Sequence, residues 1–363
     1  MSAPVLLVLA WTLAAAAFSA MTLVRVLRLR AAAPTGPLPP LLVLRPVDEP
    51  TPGELETLAA PLPADLPVRH VVLSPYRPRL GEGLGWHFSD PPCPNRKVGH
   101  VLYAVETLRR PGEQVLVVDA DVRVDRALLE GLSGALSAGA ALATAAPAPV
   151  GGSGTGAAAF RGLLRSSQHS FVALDAMSLG PKALCGKALG LSPPALEALR
   201  GLDGHIGEDL ELSLLLHRRG LAVVRTSTPA WMPLAGAVPV SAVLRRLRRW
   251  MQVLRAHRPG LFPTVPLLLA PTPLLVVLAL GAGARVVAVA VGVLLALRIA
   301  LGIALRRGSS DAAQGAWEWL LGEAALLAAW TASLAVRSVS WRGRRFTVRS
   351  GGRMERAVQE GDA

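Results

Sequence analysis

The chain is poor in three residue types, and each shortage closes off a class of protein. Two cysteines, Cys93 and Cys185, stand alone in 363 residues, with neither metal-ligand spacing nor the density of a disulfide framework. They are expected as free thiols in a reducing compartment. Aromatic residues make up only 4%, which leaves little stacking surface for single-stranded nucleic acid. Lysine occurs only at Lys97, Lys182 and Lys187 although the formal charge is +13, so the positive charge is almost all arginine. Those arginines crowd the ends of hydrophobic segments, as at Arg25, Arg28 and Arg30 or Arg306 and Arg307. Basic residues placed there follow the positive-inside rule and anionic headgroups, not nucleic acid. In a chain so biased to arginine, a retained lysine marks a position arginine cannot fill. That singles out Lys97, just before an expected helix, and Lys187, beside Gly186.

What the chain has in plenty is apolar surface. Its mean hydropathy is +0.42 and 52% of its residues are apolar, which fits a soluble domain of ordinary size joined to a few membrane spans. Ala3 to Val24 is an uncharged apolar run followed at once by basic residues. Lacking a polar start and a cleavage site, residues 1–30 are expected as an uncleaved anchor, with the N-terminus outside and the following chain in the cytosol. Ala31–Pro40 is a Pro-rich linker. Residues 31–235 have the mixed pattern of an α/β domain: Leu41–Leu44, His70–Leu73, Gln114–Val118 and Ala222–Arg225 suit buried parallel strands,. Val98–Arg109 and Ala127–Leu136 read as helices between them. Such alternation predicts an open sheet with its ligand site at the carboxyl ends of the strands. Gly151–Gly156 is expected as a flexible loop without a phosphate role, since it lacks the GK[ST] ending,.

Residues 236–260 hold an amphipathic helix, Val240 to about His257, with Val240, Val243, Leu244, Leu247, Trp250 and Leu254 on one face and arginines on the other,. It is expected to lie in the membrane interface with its apolar face in lipid. Residues 261–337 carry three apolar segments, Leu261–Leu280, Val286–Leu305 and Ala316–Val336. Pro263, Pro266, Pro271 and Pro273 should break the first, and Glu318 and Glu323 in the third need a protein or water-lined environment,. If all three crossed, the basic tail 338–363 would fall outside, so one of them is expected not to cross.

Three clusters carry possible chemistry. The strand Val115–Val118 runs into Asp119-Ala120-Asp121, two carboxylates at the sheet's carboxyl edge that can hold a divalent cation against a nucleotide diphosphate,. A solvated strand end is the plainer alternative. Gly207-Glu208-Asp209 opens an apolar helix that stops at Gly220. Asp209 suits a helix N-cap there, which is the plainer reading; the alternative is a general base for an acceptor hydroxyl. Arg246 and Arg249, three apart on the interfacial helix, can hold a diphosphate leaving group or only lipid headgroups.

Together these pieces resemble the membrane glycosyltransferases of family 2 type, most closely ceramide glucosyltransferase (family 21) and the bacterial hopanoid-pathway glycosyltransferases. Asn95-Arg96-Lys97-Val98 is similar to the family's NPKI/NPKV segment, Asp119-Ala120-Asp121 to its DxD-like motif and Gly207-Glu208-Asp209 to its ED motif. Arg246-Leu247-Arg248-Arg249-Trp250 is similar to the (Q/R)xxRW signature, and Ser338-Val339-Ser340-Trp341-Arg342 with Gly343-Arg344-Arg345-Phe346 to the family's VxWR tail. The resemblance implies an α/β domain of GT-A (Rossmann-like) fold flanked by transmembrane helices, using a UDP-sugar and Mg²⁺ or Mn²⁺ at a bacterial cytoplasmic membrane. It implies that Asp121, with Asp119, holds the metal and that Asp119 also places the ribose and diphosphate. Asp209 would deprotonate a lipid hydroxyl that inverts the anomer, with Arg246, Arg249 and Trp250 near the diphosphate and acceptor. Ser74, Lys97, Gly186, Lys187 and Glu208 are the other expected substrate contacts. Ser74 stands where the family usually has an aspartate that contacts uracil, and Gly99-His100 stand where it has asparagines. Two alternatives remain at this point: transfer to a polyprenyl phosphate, and a non-catalytic membrane protein that only binds a nucleotide.

Overall fold

The computed structural model describes residues 1–28, 38–62, 68–177, 181–182, 184–306, 317–335, 338–341 and 344–356. The Pro-rich linker lies, up to residue 37, outside the described residues. In chain order the elements begin with α1 (Ala3–Arg28), β1 (Leu41–Pro46), α2 (Pro52–Ala59), β2 (Val68–Ser74), β3 (Leu84–Phe88) and α3 (Arg96–Thr107). There follow β4 (Gln114–Val118), α4 (Arg126–Ser137), β5 (Leu142–Thr144), β6 (Pro147–Ser153), α5 (Gly154–Met177), β7 (Ala188–Leu191) and α6 (Pro193–Leu199). Next come α7 (Glu208–Arg218), β8 (Val223–Arg225), β9 (Ala230–Ala237), α8 (Val240–His257), a π turn (Val265–Leu269) and α9 (Thr272–Ala282). The last are α10 (Arg285–Arg306), α11 (Glu318–Ala335), β10 (Ser338–Trp341), β11 (Arg344–Val348) and β12 (Met354–Arg356). They sort into two compact units. A helical unit holds Met1–Leu29, Pro149–Leu179 and Gly236–Arg337, and a sheet unit holds Arg30–Ala148, Gly180–Ala235 and Ser338–Ala363. The 149–179 stretch, counted within the α/β domain on sequence, thus belongs to the helical unit, and the basic tail belongs to the sheet unit.

The sheet unit is built on seven strands in the order β3-β2-β1-β4-β7-β5-β8. The four strands expected from the sequence are all present. β1 is buried at every residue, which is why Leu41–Leu44 shows no polar alternation: a strand covered on both faces is apolar throughout. Its pairs with β2 and β4 are parallel, whereas β7 runs antiparallel to both β4 and β5. The four expected strands run parallel to one another; β7, whose four residues, Ala-Leu-Gly-Leu, are too few for periodicity to reveal, is an antiparallel strand the sequence reading missed. The core gathers Leu42, Leu44, Val115, Val117, Leu189 and Leu191 from the strands with Leu212 and Leu216 of α7, each such side chain contributing about 1.5–3 kcal/mol.

Two helix starts in this unit set the site. Asn95 caps α3, its Oδ1 accepting from the Val98 amide at 3.2 Å. α7 starts differently from the capping alternative: its N-cap is Gly207, at φ 73° and ψ 43°, a left-handed conformation that costs a residue with a Cβ about 1 kcal/mol or more. Asp209 lies inside the first turn instead. The tail forms its own antiparallel sheet, β10-β11-β12. It is stitched to the loop ahead of α7 by Ile206 N–H to Gly352 O and Met354 N–H to Gly204 O, both 2.8 Å.

In the helical unit α1 packs on α10 through Ala15, Ala16, Val287, Val291 and Leu294. α1 and the Arg285–Leu305 stretch of α10 are long and apolar enough to cross a membrane. α9 has 11 residues, about 16 Å at 1.5 Å per residue, against a hydrocarbon core of about 30 Å. The prolines therefore break the Leu261–Leu280 segment as expected. The two acids of α11 also meet their expected need: Glu318 pairs with Arg161 at 2.5 Å, and Glu323 accepts from the Thr272 amide at 3.0 Å and faces Arg298 at 3.4 Å.

Two sequence expectations fail here. Gly151–Gly156 is not a loop but the end of β6 and the start of α5. Positive φ at Gly151, Gly152 and Gly154 makes the turn, and a Cβ on Gly156 would lie 2.2 Å from Val238 O. The apolar face of α8 packs on α5 and α11 instead of lying free in lipid. Val243, Leu247 and Met251 are buried there while Val240 is exposed. The Trp250 ring lies 6.0 Å from Phe160, whose ring also faces the Arg246 guanidinium at 5.2 Å.

Candidate active site

The carboxyl edge of the sheet carries a tight set of opposite charges. β4 ends in Asp119 and Asp121, and the antiparallel β7 delivers Lys187 beside them, because the Asp119 amide donates to Lys187 O at 2.8 Å. The Lys187 ammonium then lies 3.0 Å from Asp119 Oδ2 and 2.7 Å from Asp121 Oδ2. From the first turn of α3, Lys97 reaches Asp119 Oδ1 at 2.8 Å, Glu208 Oε1 at 3.4 Å and Gly186 O at 2.6 Å. α7 supplies Glu208 and Asp209. The Asp209 carboxylate accepts from the Gly186 amide at 2.6 Å and from the Leu210 amide at 2.9 Å. Six expected residues therefore converge on one place: Lys97, Asp119, Asp121, Lys187, Glu208 and Asp209, around Gly186. Glycine keeps this position open: a Cβ there would lie 3.2 Å from both Asp209 Oδ2 and Lys97 Nζ and press on them.

Charge placement sets the protonation states. Burial disfavours ionised Asp119, but Lys97 and Lys187 outweigh it and hold its carboxyl well below the usual range. Burial likewise opposes a charged Lys97, and Asp119 and Glu208 more than offset it, so its ammonium is held above its ordinary value. Asp209 goes the other way. Burial first and the Glu208 charge second push it up to about 7, against the pull of Lys97. One acid locked in its anionic form beside another poised near neutrality is the division of labour expected of a charge-holding group and a general base.

Asp119 and Asp121 are hard oxygen donors converging on a single cation position, at present satisfied by the Lys187 ammonium. That donor chemistry suits Mg²⁺ or Mn²⁺. Among the described residues no three His, Cys, Asp or Glu side chains form a metal cage, so further ligands would come from substrate and water.

Several residues outside the sequence expectations complete the site. Arg45, inside the all-apolar run of β1, is 1% exposed. Its guanidinium donates to Asp119 O at 3.0 Å, Ala120 O at 2.8 Å and Val122 O at 2.6 Å, holding the turn that bears both aspartates. A lone arginine in a buried strand is the signal that could have found it. Asn95 Nδ2 donates to His205 O at 2.7 Å and Glu208 Oε2 at 3.0 Å, tying the starts of α3 and α7 together. Asp48, after β1, is held by Arg96 Nε at 2.8 Å and by His100 Nε2 at 2.8 Å, so His100 is a structural partner here.

Ser74 is fully buried in the turn after β2, its hydroxyl donating to Tyr76 O at 2.6 Å and accepting from the Tyr76 amide at 3.1 Å. The residue this turn presents is Tyr76, 73% exposed. Arg246, Arg249 and Trp250 lie on α8 of the helical unit, and within that unit Trp250 and Arg246 gather at Phe160.

The family described as Glycosyl transferase family 21 matches residues 87–354 of the chain. No curated protein matches it. Among solved structures it is similar to the mannosyltransferase PcManGT from Pyrobaculum calidifontis in complex with GDP-Man and Mn²⁺. That likeness has 16% identity and a TM-score of 0.42, and covers 90% of this chain and 99% of that chain. At that level it informs neither donor nor metal here.

Proposed function

The chain belongs to glycosyl transferase family 21, and from that membership we propose an inverting enzyme that moves a hexose or N-acetylhexosamine from a UDP-sugar to the hydroxyl of a membrane lipid such as ceramide or a hopanoid. Glycosyl transfer itself follows from the family; donor, acceptor and stereochemistry are the proposed part. The observation that carries the reading is the meeting of Asp119 and Asp121 with Lys97, Lys187 and Asp209 around Gly186.

In this reading Asp209 takes the proton of the acceptor hydroxyl. The freed oxygen forms a bond to the anomeric carbon while the bond from that carbon to the diphosphate breaks on the opposite face, and UDP leaves with the electron pair. Lys97 and Lys187 already lie among the carboxylates and offset the negative charge of the diphosphate, which is catalysis by positioning and preorganised charge. Asp121, with Asp119, would hold Mg²⁺ or Mn²⁺, which when bound neutralises the diphosphate. Arg246, Arg249 and Trp250 are proposed to contribute to catalysis on the resemblance of their motif alone.

Membrane placement follows a parity argument. Residues 338–356 belong to the same compact unit as β1 to β5, so the chain crosses an even number of times between Gly236 and Ser338. α10 is long and apolar enough to supply one of them, and α11, with 18 residues, is proposed as the other, with the broken 261–282 segment not spanning. In this proposed topology the sheet unit and the basic tail would lie on the cytosolic face of a bacterial cytoplasmic membrane, as the positive-inside rule favours.

The test is full-length protein in detergent, given radiolabelled UDP-sugars and a panel of ceramide, hopanoid, diacylglycerol and polyprenyl phosphate. A hydroxyl lipid should be labelled, and Asp209→Asn should abolish labelling while retaining UDP binding. Label on polyprenyl phosphate alone, with Asp209→Asn fully active, would refute the reading, since an anionic acceptor needs no base.

A further inference from the structure

A cleft of about 280 Å³ opens beside the carboxylate cluster and shares Lys97 with it. Its walls come from four places: Asp48 and Glu49 after β1, Tyr76 after β2, Asp90 and Arg96 at the approach to α3, and Arg344 and Phe346 of the tail strand β11. Arg96 anchors the Asp48 carboxylate. Tyr76 offers an open aromatic ring, while Phe346 is 2% exposed and seats β11. The tail is held there by backbone. The Ile206 and Met354 ladder bonds, with the antiparallel bridge His205 to Arg353, join it to the loop that leads into Gly207, Glu208 and Asp209.

We propose that the C-terminal tail forms the closing wall of the donor site, with Arg344 acting as a donor-binding residue at the nucleoside diphosphate in this cleft. The chemistry matches that ligand: an aromatic face for a base, an anchored carboxylate that can accept from base or ribose N–H and O–H groups, and a guanidinium for anionic oxygens. Lys97 marks the end at which the diphosphate passes to Asp119. Because β12 and the 204–206 loop share hydrogen bonds, the wall that touches the donor is continuous in backbone with the segment bearing the acceptor's base. The inference rests on the proposed use of a nucleotide sugar and adds the element that completes its site.

The full-length protein in detergent provides two readouts. Arg344→Gln, at an exposed position, should raise the donor KM roughly tenfold, the loss of one charge-assisted contact, with kcat and acceptor KM within about twofold of wild type, and Arg344→Lys should recover part of the affinity. Arg349→Gln serves as control: it lies on the same tail, paired with Glu355 at 2.8 Å, and should leave the donor KM unchanged. Independently, UDP or GDP should slow tryptic cleavage after Arg344 and Arg345. If a nucleotide binds and sugar is transferred, yet Arg344→Gln keeps the wild-type KM and cleavage is not slowed, the tail is no part of the donor site and the inference is overturned while the proposed function stands. If neither UDP nor GDP binds at all, both fall together.

Discussion

Asp209 has a pH signature that a purely structural acid would lack. Its carboxyl is raised from an ordinary 3.8 to about 7, by burial and then by Glu208. A base acts only when ionised, so kcat/KM should fall as pH drops through about 7, approaching tenfold per further pH unit. Glu208→Gln removes the neighbouring charge while its amide oxygen can still accept from Asn95. At an effective dielectric of about 20, one like charge about 6–8 Å away is worth roughly 2–3 kcal/mol, so the midpoint should move down by about one and a half to two pH units. Stability follows with the opposite benefit. The folded chain keeps a proton on Asp209 that the unfolded chain has released between pH 4 and pH 7, so unfolding releases a proton and stability declines as pH rises through that window. The penalty present above pH 7 is at most about 4 kcal/mol, less for the residual solvent contact of the group. Asp209→Asn should therefore raise Tm at pH 8 and change it little at pH 4, while abolishing turnover. Initial rates and thermal unfolding of wild type, Glu208→Gln and Asp209→Asn in detergent from pH 5 to 9 make the test. A pH-independent rate across that range, or a midpoint that rises in Glu208→Gln, would refute the assignment of Asp209 as a buried base beside Glu208.

Gly186→Ala should lower kcat by roughly one to two orders of magnitude with little loss of Tm, because its Cβ would press on Asp209 and Lys97 at 3.2 Å and a small misplacement of reacting groups is costly; steady-state kinetics beside a melting curve separates the two effects. Lys187→Met strips the ammonium that bridges Asp119 and Asp121, so Mn²⁺ binding in the absence of nucleotide, followed by electron paramagnetic resonance, should tighten even as turnover falls; weaker binding would contradict competition for one position. Arg161→Ala leaves Glu318 without its partner inside the helical unit and should cost about 3–5 kcal/mol, read as a large drop in Tm, whereas Arg126→Ala, at an exposed pair with Glu130, should cost less than about 1 kcal/mol.

The legible parts of this chain are those in which chemistry is local. Runs such as Leu41–Leu44 and Gln114–Val118 announce buried strands because a strand covered on both faces must be apolar at every position. Asp119-Ala120-Asp121 is readable as a site because a carboxylate pair directly after such a strand sits at the sheet edge by construction. Glu318 and Glu323 are readable as needing partners because an acid in an apolar helix demands one. Illegible are the features created by distant segments meeting. β7 carries almost no pattern, yet its antiparallel pairing is what brings Lys187 onto Asp119. The hydrogen bonds by which Ser74 holds the Tyr76 turn likewise appear only in the fold.

From its residues alone, then, the chain gives away its α/β character, its apolar segments, the acids and lysines at the sheet edge, and its likeness to family 21, since periodicity, charge and motif spacing are properties of neighbouring residues. Only the folded chain decides which of those groups face one another: that Gly186 is the hub between Lys97 and Asp209, that Arg45 braces the aspartate turn, and that the tail returns to the sheet. These depend on hydrogen bonds and charge pairs between residues up to about 150 positions apart, such as Met354 on Gly204. No local pattern encodes a contact whose partners are joined only by the fold.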